Sequence, residues 1–186
     1  MALALYKCRG AWSRAGRRVA AALTFTLLSF AVWSAPPRSE YEVKAVYLFN
    51  FTKFVTWPVA QPDAALQLCL IGLDPFDGRL STLAGKRVQG RELQFSVITT
   101  ESQAAKCQLV FVSKSEARRF APLLDGLRGY PVLTVSDIPE FENNGGMIGL
   151  HSEGNLIRFS VNLKQVRGEG LDVNSRLLEL AAEVIQ

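Results

Sequence analysis

The chain has 186 residues, 48% of them hydrophobic, with 21 Lys and Arg against 17 Asp and Glu, a net charge of +4. Five of those basic residues (Lys7, Arg9, Arg14, Arg17, Arg18) and none of the acids precede residue 35, so the remainder carries 16 against 17, a net charge of −1. The high isoelectric point therefore belongs to the amino terminus, and the basic face that nucleic-acid binding requires is missing from the rest.

The five cations are followed by Val19–Trp33, 15 residues without a charge. That length suits the core of a secretory signal peptide and is short for a membrane span. Residues 1–34 read as a cleaved signal peptide, with Val32 and Ser34 at the two small-residue positions before the cut. An uncleaved anchor is the alternative. Residues 35–38, Ala-Pro-Pro-Arg, form a short tether, and residues 39–186 form a single domain long enough for a substantial core.

The domain opens on SEYEVKAVYLFNFTKFVTWP, residues 39–58. Ser39 and Glu42 make a capping box, and Val43, Val46, Tyr47, Phe51, Phe54 and Val55 recur at helical spacing up to Pro58. Five aromatics between Tyr47 and Trp57 are too much apolar surface for a lone helix, so this element should be enclosed. Residues 64–71 are a first strand, containing Cys69. Asp74-Pro75-Phe76 starts a helix to about Ala84, stopped by Gly85. Strands follow at 93–98 and 108–112, with Cys107 at the mouth of the second; Ser115 caps a helix over 116–127, and 131–135 is the next strand.

Strand and helix in alternation, with strands apolar on both faces, predicts an α/β fold. The sheet should be mostly parallel with helices on both faces, a Rossmann-like three-layer sandwich. The rhythm then changes: residues 147–151 and 156–162 flank Ser152-Glu153-Gly154-Asn155 as a carboxyl-terminal antiparallel hairpin. Asn162 can cap a short helix, and Asn174 or Ser175 the last one, whose Leu177, Leu178, Ala181 and Ile185 return to the sheet.

Once Cys8 has left with the signal, Cys69 and Cys107 are an even pair in an oxidising compartment. A bridge would close a loop of roughly 40 residues and contribute about 4 kcal/mol; two separate buried thiols are the alternative. No catalytic set is recognisable. His151 is the single histidine, no serine sits in a GxSxG elbow, and neither metal-ligand spacing nor a phosphate loop occurs, so no cofactor or metal is expected. Two loops stand where an α/β fold binds ligands, Gly72–Gly78 with Asp74 and Ser136-Asp137 near Asn143–Gly146. Arg158 and Arg176 could hold a ligand's acidic group.

The pieces VKAVYLFNFTKFVTWP, CLIGLDPFDGRLSTLAGKRVQGREL, AKCQLVFVSKSE, PVLTVSD with GGMIGL, and NLIRFSVNLKQVRGEGLDVNSRLLELA, in that order over residues 40–183, resemble the YfiR-like family of exported bacterial regulators. The resemblance implies a periplasmic, non-enzymatic domain, often a homodimer, that restrains an inner-membrane diguanylate cyclase by binding its periplasmic part. Cys69 and Cys107 match a cysteine pair that such proteins bridge; a second pair found in some relatives near the hairpin has no counterpart here. Within such a regulator, Leu163, Val166 and Leu171, set among charges and glycines, are the expected anchors for the partner. A ligand-binding sensor for another membrane receptor and a secreted enzyme are the competing readings.

Overall fold

The computed structural model describes residues 39–58 and 64–186. The expected signal peptide and tether lie outside the described residues. Helix α1 spans Glu40–Phe54 and starts as its residues dictate: the Glu42 amide donates to Ser39 Oγ (3.3 Å), and the Ser39 amide to the Glu42 carboxylate (3.1 Å). Its buried stripe is Lys44, Ala45, Leu48, Phe51 and Thr52, whereas Val46 is half exposed. The face is thus turned by about one residue from the one the apolar spacing suggests, because a lysine lies in it. At the far end the Gln89 side-chain amide donates to the carbonyls of Thr52 and Val55, which the helix end leaves open.

The main sheet has eight strands in the order β10-β8-β7-β6-β5-β2-β4-β3. Strands β2 (Leu66–Ile71), β4 (Arg91–Ile98), β5 (Leu109–Val112), β6 (Leu133–Ser136) and β7 (Ile148–Glu153) are mutually parallel. At one edge β3 (Arg87–Val88) runs antiparallel to β4. At the other, β8 (Leu156–Asn162) runs antiparallel to β7, and β10 (Glu183–Ile185) lies parallel to β8. A separate two-stranded sheet pairs β1 (Val55–Thr56) with β9 (Asp172–Val173).

Alternation along the strands divides the core. Leu66, Leu68, Leu70, Leu109, Phe111, Leu133 and Val135 pack with Leu48 and Phe51 of α1, while Cys69, Ile71, Val110 and Val112 face Ala104, Leu123 and Leu127. The latter come from or adjoin α2 (Glu101–Ala104) and α3 (Phe120–Gly126). On the first face Phe51 packs on Phe159 of β8 at 5.3 Å between ring centroids, and Tyr47 donates to the Ile157 carbonyl (2.9 Å).

Three helical expectations are corrected. The segment after Asp74 is a turn followed by a 3₁₀ helix, Arg79–Leu83; Asp74 accepts from the amides of Phe76 (2.8 Å) and Gly78 (2.9 Å), and Gly78, at φ 73°, turns the chain before regular helix begins. The helix expected over 116–127 is interrupted, with a 3₁₀ turn at Lys114–Glu116 and then α3, because Pro122 has no amide for the carbonyl four residues back. The last helix, α5 (Ser175–Leu180), capped by Asn174, stops before β10, so Val184 and Ile185 join the sheet edge. Helix α4 (Leu163–Gly168) is capped by Asn162 as its sequence suggests. Apart from α1, the described helices are four to seven residues long. What stands is a mixed α/β domain on a mostly parallel sheet with the expected hairpin, with α1 on one face and the short α2 and α3 on the other.

Candidate functional site

The carboxyl ends of β2, β5 and β6 meet the amino end of α1 along one rim of the sheet. Asp137, one residue past β6, is buried, and so is Lys44. The Lys44 ammonium donates to Asp137 Oδ2 (2.5 Å) and to Glu40 Oε1. Asp137 Oδ2 also accepts from the Tyr41 hydroxyl (3.0 Å) and lies 3.4 Å from Lys114 Nζ, while Oδ1 has no hydrogen-bond partner. Ser152 on β7 donates to Glu40 Oε1 (2.8 Å), so the same cluster ties the hairpin to α1. Burial, and then the charge of Asp137, push the Tyr41 hydroxyl above its ordinary pKa. This is a charge lock that fastens helix to sheet, with one acceptor left over.

The hydrogen bond from Lys44, and then that from Ser152, hold the Glu40 carboxyl below the usual glutamate range. A depressed carboxylate contributes stability that is complete above the unfolded value and lost as the pH falls through the folded one. Urea unfolding from about pH 6 down to about pH 3 should therefore show a smaller acid-side loss for Glu40→Gln than for the unaltered chain. Equal slopes would show that the bond carries no linkage.

On the opposite face, the Cys69–Cys107 disulfide joins β2 to the approach to β5, with Cα atoms 6.1 Å apart. Strand order reverses between β2 and β5, the position at which open parallel sheets form ligand crevices. There Ser115 accepts from the Leu73 amide (2.9 Å) instead of capping a helix, and the buried Glu116 holds Arg119 through Nε (2.5 Å) and Nη2 (3.2 Å). Beside this pair a groove of about 460 Å³ runs between Thr99–Ser102 and Arg119, floored by Ile71 and Leu123. Glu142, also buried, meets His151 Nε2 at 3.1 Å, and that nitrogen is 3.2 Å from Ser160 Oγ, so the lone histidine clamps a loop to the hairpin.

Among the described residues no hydrogen bond or ion pair links any two of Asp74, Asp137, Arg158 and Arg176. Asp74 organises its own turn, Asp137 belongs to the lock, Arg158 pairs with Glu153 across the hairpin (3.3 Å), and the Arg176 amide donates to Asn174. Leu163, Val166 and Leu171 are core residues in the folded chain, packed in the cluster that contains Leu48 and Phe159. Their segment shows solvent the side chains of Lys164 and Arg167 instead. Val166→Glu should accordingly destabilise by about 3 kcal/mol, because the charge enters the core unpaired. A melting temperature unchanged within a degree or two would reopen Val166 as a surface anchor.

Lys44, Tyr41, Lys114, Glu116 and Arg119 were not legible as site residues. One signal was present: Lys44 lies four residues before Leu48 and seven before Phe51, a charge within the stripe that turns inward.

A family model described as YfiR/HmsC-like matches residues 41–182. Among solved structures, the chain is similar to the ABC domain in complex with L-Trp from Streptococcus pneumonia, at 11% identity and a TM-score of 0.49, over 64% of this chain. The chain spans 55% of that structure's length.

Proposed function

Because the chain belongs to the YfiR/HmsC-like family, whose members are periplasmic regulators rather than catalysts, we propose that it binds the periplasmic part of an inner-membrane diguanylate cyclase and restrains it, lowering cyclic-di-GMP output. The observation that carries this reading is the extent of the family match, residues 41–182, which takes in nearly every described element. The Cys69–Cys107 bridge is consistent with export, as is the uncharged stretch behind the amino-terminal cations. The charged groups at the rim support the same reading, since Lys44 and Asp137 are consumed by each other and hold α1 in place.

The test is a pull-down from detergent-solubilised membranes with the processed chain, beginning at about Ala35, followed by cyclic-di-GMP measurement in cells lacking the gene. Recovery of a cyclase and a rise in cyclic-di-GMP are expected. A deletion that leaves cyclic-di-GMP unchanged, with no cyclase recovered, would overturn the proposal. A second reading, a ligand-binding sensor for another membrane receptor, draws on the groove where strand order reverses. It would be favoured if the pull-down recovers a receptor without cyclase activity.

A further inference from the structure

Strand β4 is paired unequally on its two sides. Its inner side follows β2 from Leu93 to Ile98, but β3 covers only Arg91 and Glu92 on the outer side. The cover ends at Leu93, which donates to the Lys86 carbonyl (2.8 Å) and accepts from the Gly85 amide (2.9 Å). Backbone groups alternate in direction along a strand, so Phe95 and Val97 turn their amides and carbonyls to that same outer side. Among the described residues nothing pairs with them.

Soluble proteins blunt such edges with proline, charge, bulges or covering loops. Between Leu93 and Ile98 there is neither a proline nor a charge, and the Val97 side chain is 57% exposed. Beside this edge, on the disulfide face, lies a concavity of about 410 Å³ whose floor includes Cys69 and Cys107 and whose rim carries Lys106. Lys106 is exposed and makes no ion pair among the described residues.

We propose that the outer edge of β4, Phe95 to Ile98, is a strand-addition site. Its occupant is an extended segment of a partner protein, β-branched and uncharged except for one acidic side chain that meets Lys106. Main-chain bonds to Phe95 and Val97 would hold the segment, and alternate side chains would enter the concavity over the disulfide. The acid follows from charge complementarity: Lys106 is the one charged side chain lining this concavity, and it has no counter-ion among the described residues. The inference deepens the regulator reading by naming the surface through which a protein partner is held.

The probes are two fluorescein-labelled peptides, Thr-Val-Thr-Val-Glu-Val-Thr and the same sequence with Lys for Glu, titrated into the processed chain by fluorescence polarisation. The Glu peptide should bind saturably and about tenfold more tightly than the Lys peptide. Lys106→Glu should invert that preference. Val97→Pro removes only an outward amide, so it should keep the melting temperature while abolishing binding. If Val97→Pro does not fold, amide exchange on the unaltered chain decides: the Phe95 and Val97 amides should gain protection when the Glu peptide is added.

Equal binding by Val97→Pro, no saturable binding of either peptide, or no gain in amide protection would overturn the site. A dimer of the unaltered chain that Val97→Pro dissociates, without peptide binding, would also overturn it, by making a second copy the occupant. The regulator reading fails separately, in the membrane pull-down with the unaltered chain.

Discussion

Asp137→Ala is expected to lower the unfolding free energy by about 3–5 kcal/mol, because it leaves the Lys44 ammonium in the core with only the half-exposed Glu40 as counter-ion. The pair is desolvated on both sides, with side-chain exposures of 0% for Lys44 and 1% for Asp137. Removing either charge therefore forfeits the attraction without restoring hydration. Lys44→Met alone should cost a comparable amount, since Asp137 already has one oxygen without a partner and would then lose its closest donor. The double variant Lys44→Met with Asp137→Leu should recover most of the loss, because two apolar side chains replace two buried charges that need each other. Urea unfolding of the three variants reads this directly. Additive losses in the double variant, or a loss below about 1 kcal/mol in either single one, would show that the two groups act independently.

Replacing Cys69 and Cys107 together by alanine is expected to cost about 4 kcal/mol, the loop-closure entropy released to the unfolded chain over a separation of 38 residues. At about 2–4 °C per kcal/mol for a domain of this size, the melting temperature should fall by roughly 8–16 °C. Both cysteines are buried, so the two alanines also remove some packing on that face. The unaltered chain under reductant separates the contributions, because it loses the cross-link while keeping both sulfur atoms. Reductant and alanine variant should agree to within about 1–2 kcal/mol. A reduced chain as stable as the oxidised one would mean that the bridge does not restrict the unfolded state.

The features legible in the sequence are those whose partners are close in the chain or follow a strict period. The Ser39–Glu42 box and the Asn162 cap are read within a few residues and realised, and of the two candidates Asn174 and Ser175 it is Asn174 that caps the last helix. Strands β2, β5 and β6 were legible because they are short apolar runs buried on both faces. The Cys69–Cys107 pair was legible by count and by its place on neighbouring strands.

Lys44 was not, because its partner stands 93 residues on, and no local pattern announces a buried charge that is satisfied from another element. Asp74-Pro75 carries signals shared by a helix start and a turn; what decides is the apolar stripe that must follow, and Gly78 interrupts it. Val184 and Ile185 fit a helix by spacing, yet β8 offered an open edge, and edge pairing is a property of the assembled sheet. In the same way the run from Leu163 to Leu171 displays three apolar residues among charges without showing on which side the sheet will lie.

The attachments of α1 have a kinetic consequence. Tyr41 waits for Asp137, 96 residues later, Tyr47 for Ile157, 110 later, and Glu40 for Ser152, 112 later. The strand that leaves the helix pairs with Val173. Contacts of such separation are reached late and slowly, because the chain entropy between their ends is lost before any contact repays it. A chain that emerges amino end first, from a ribosome or through a membrane pore, therefore presents its most aromatic segment first and covers it last. In that interval Phe49, Phe51, Phe54 and Trp57 lie open to any passing apolar surface, until Phe159 of β8 packs on Phe51 and β9 pairs with Val55.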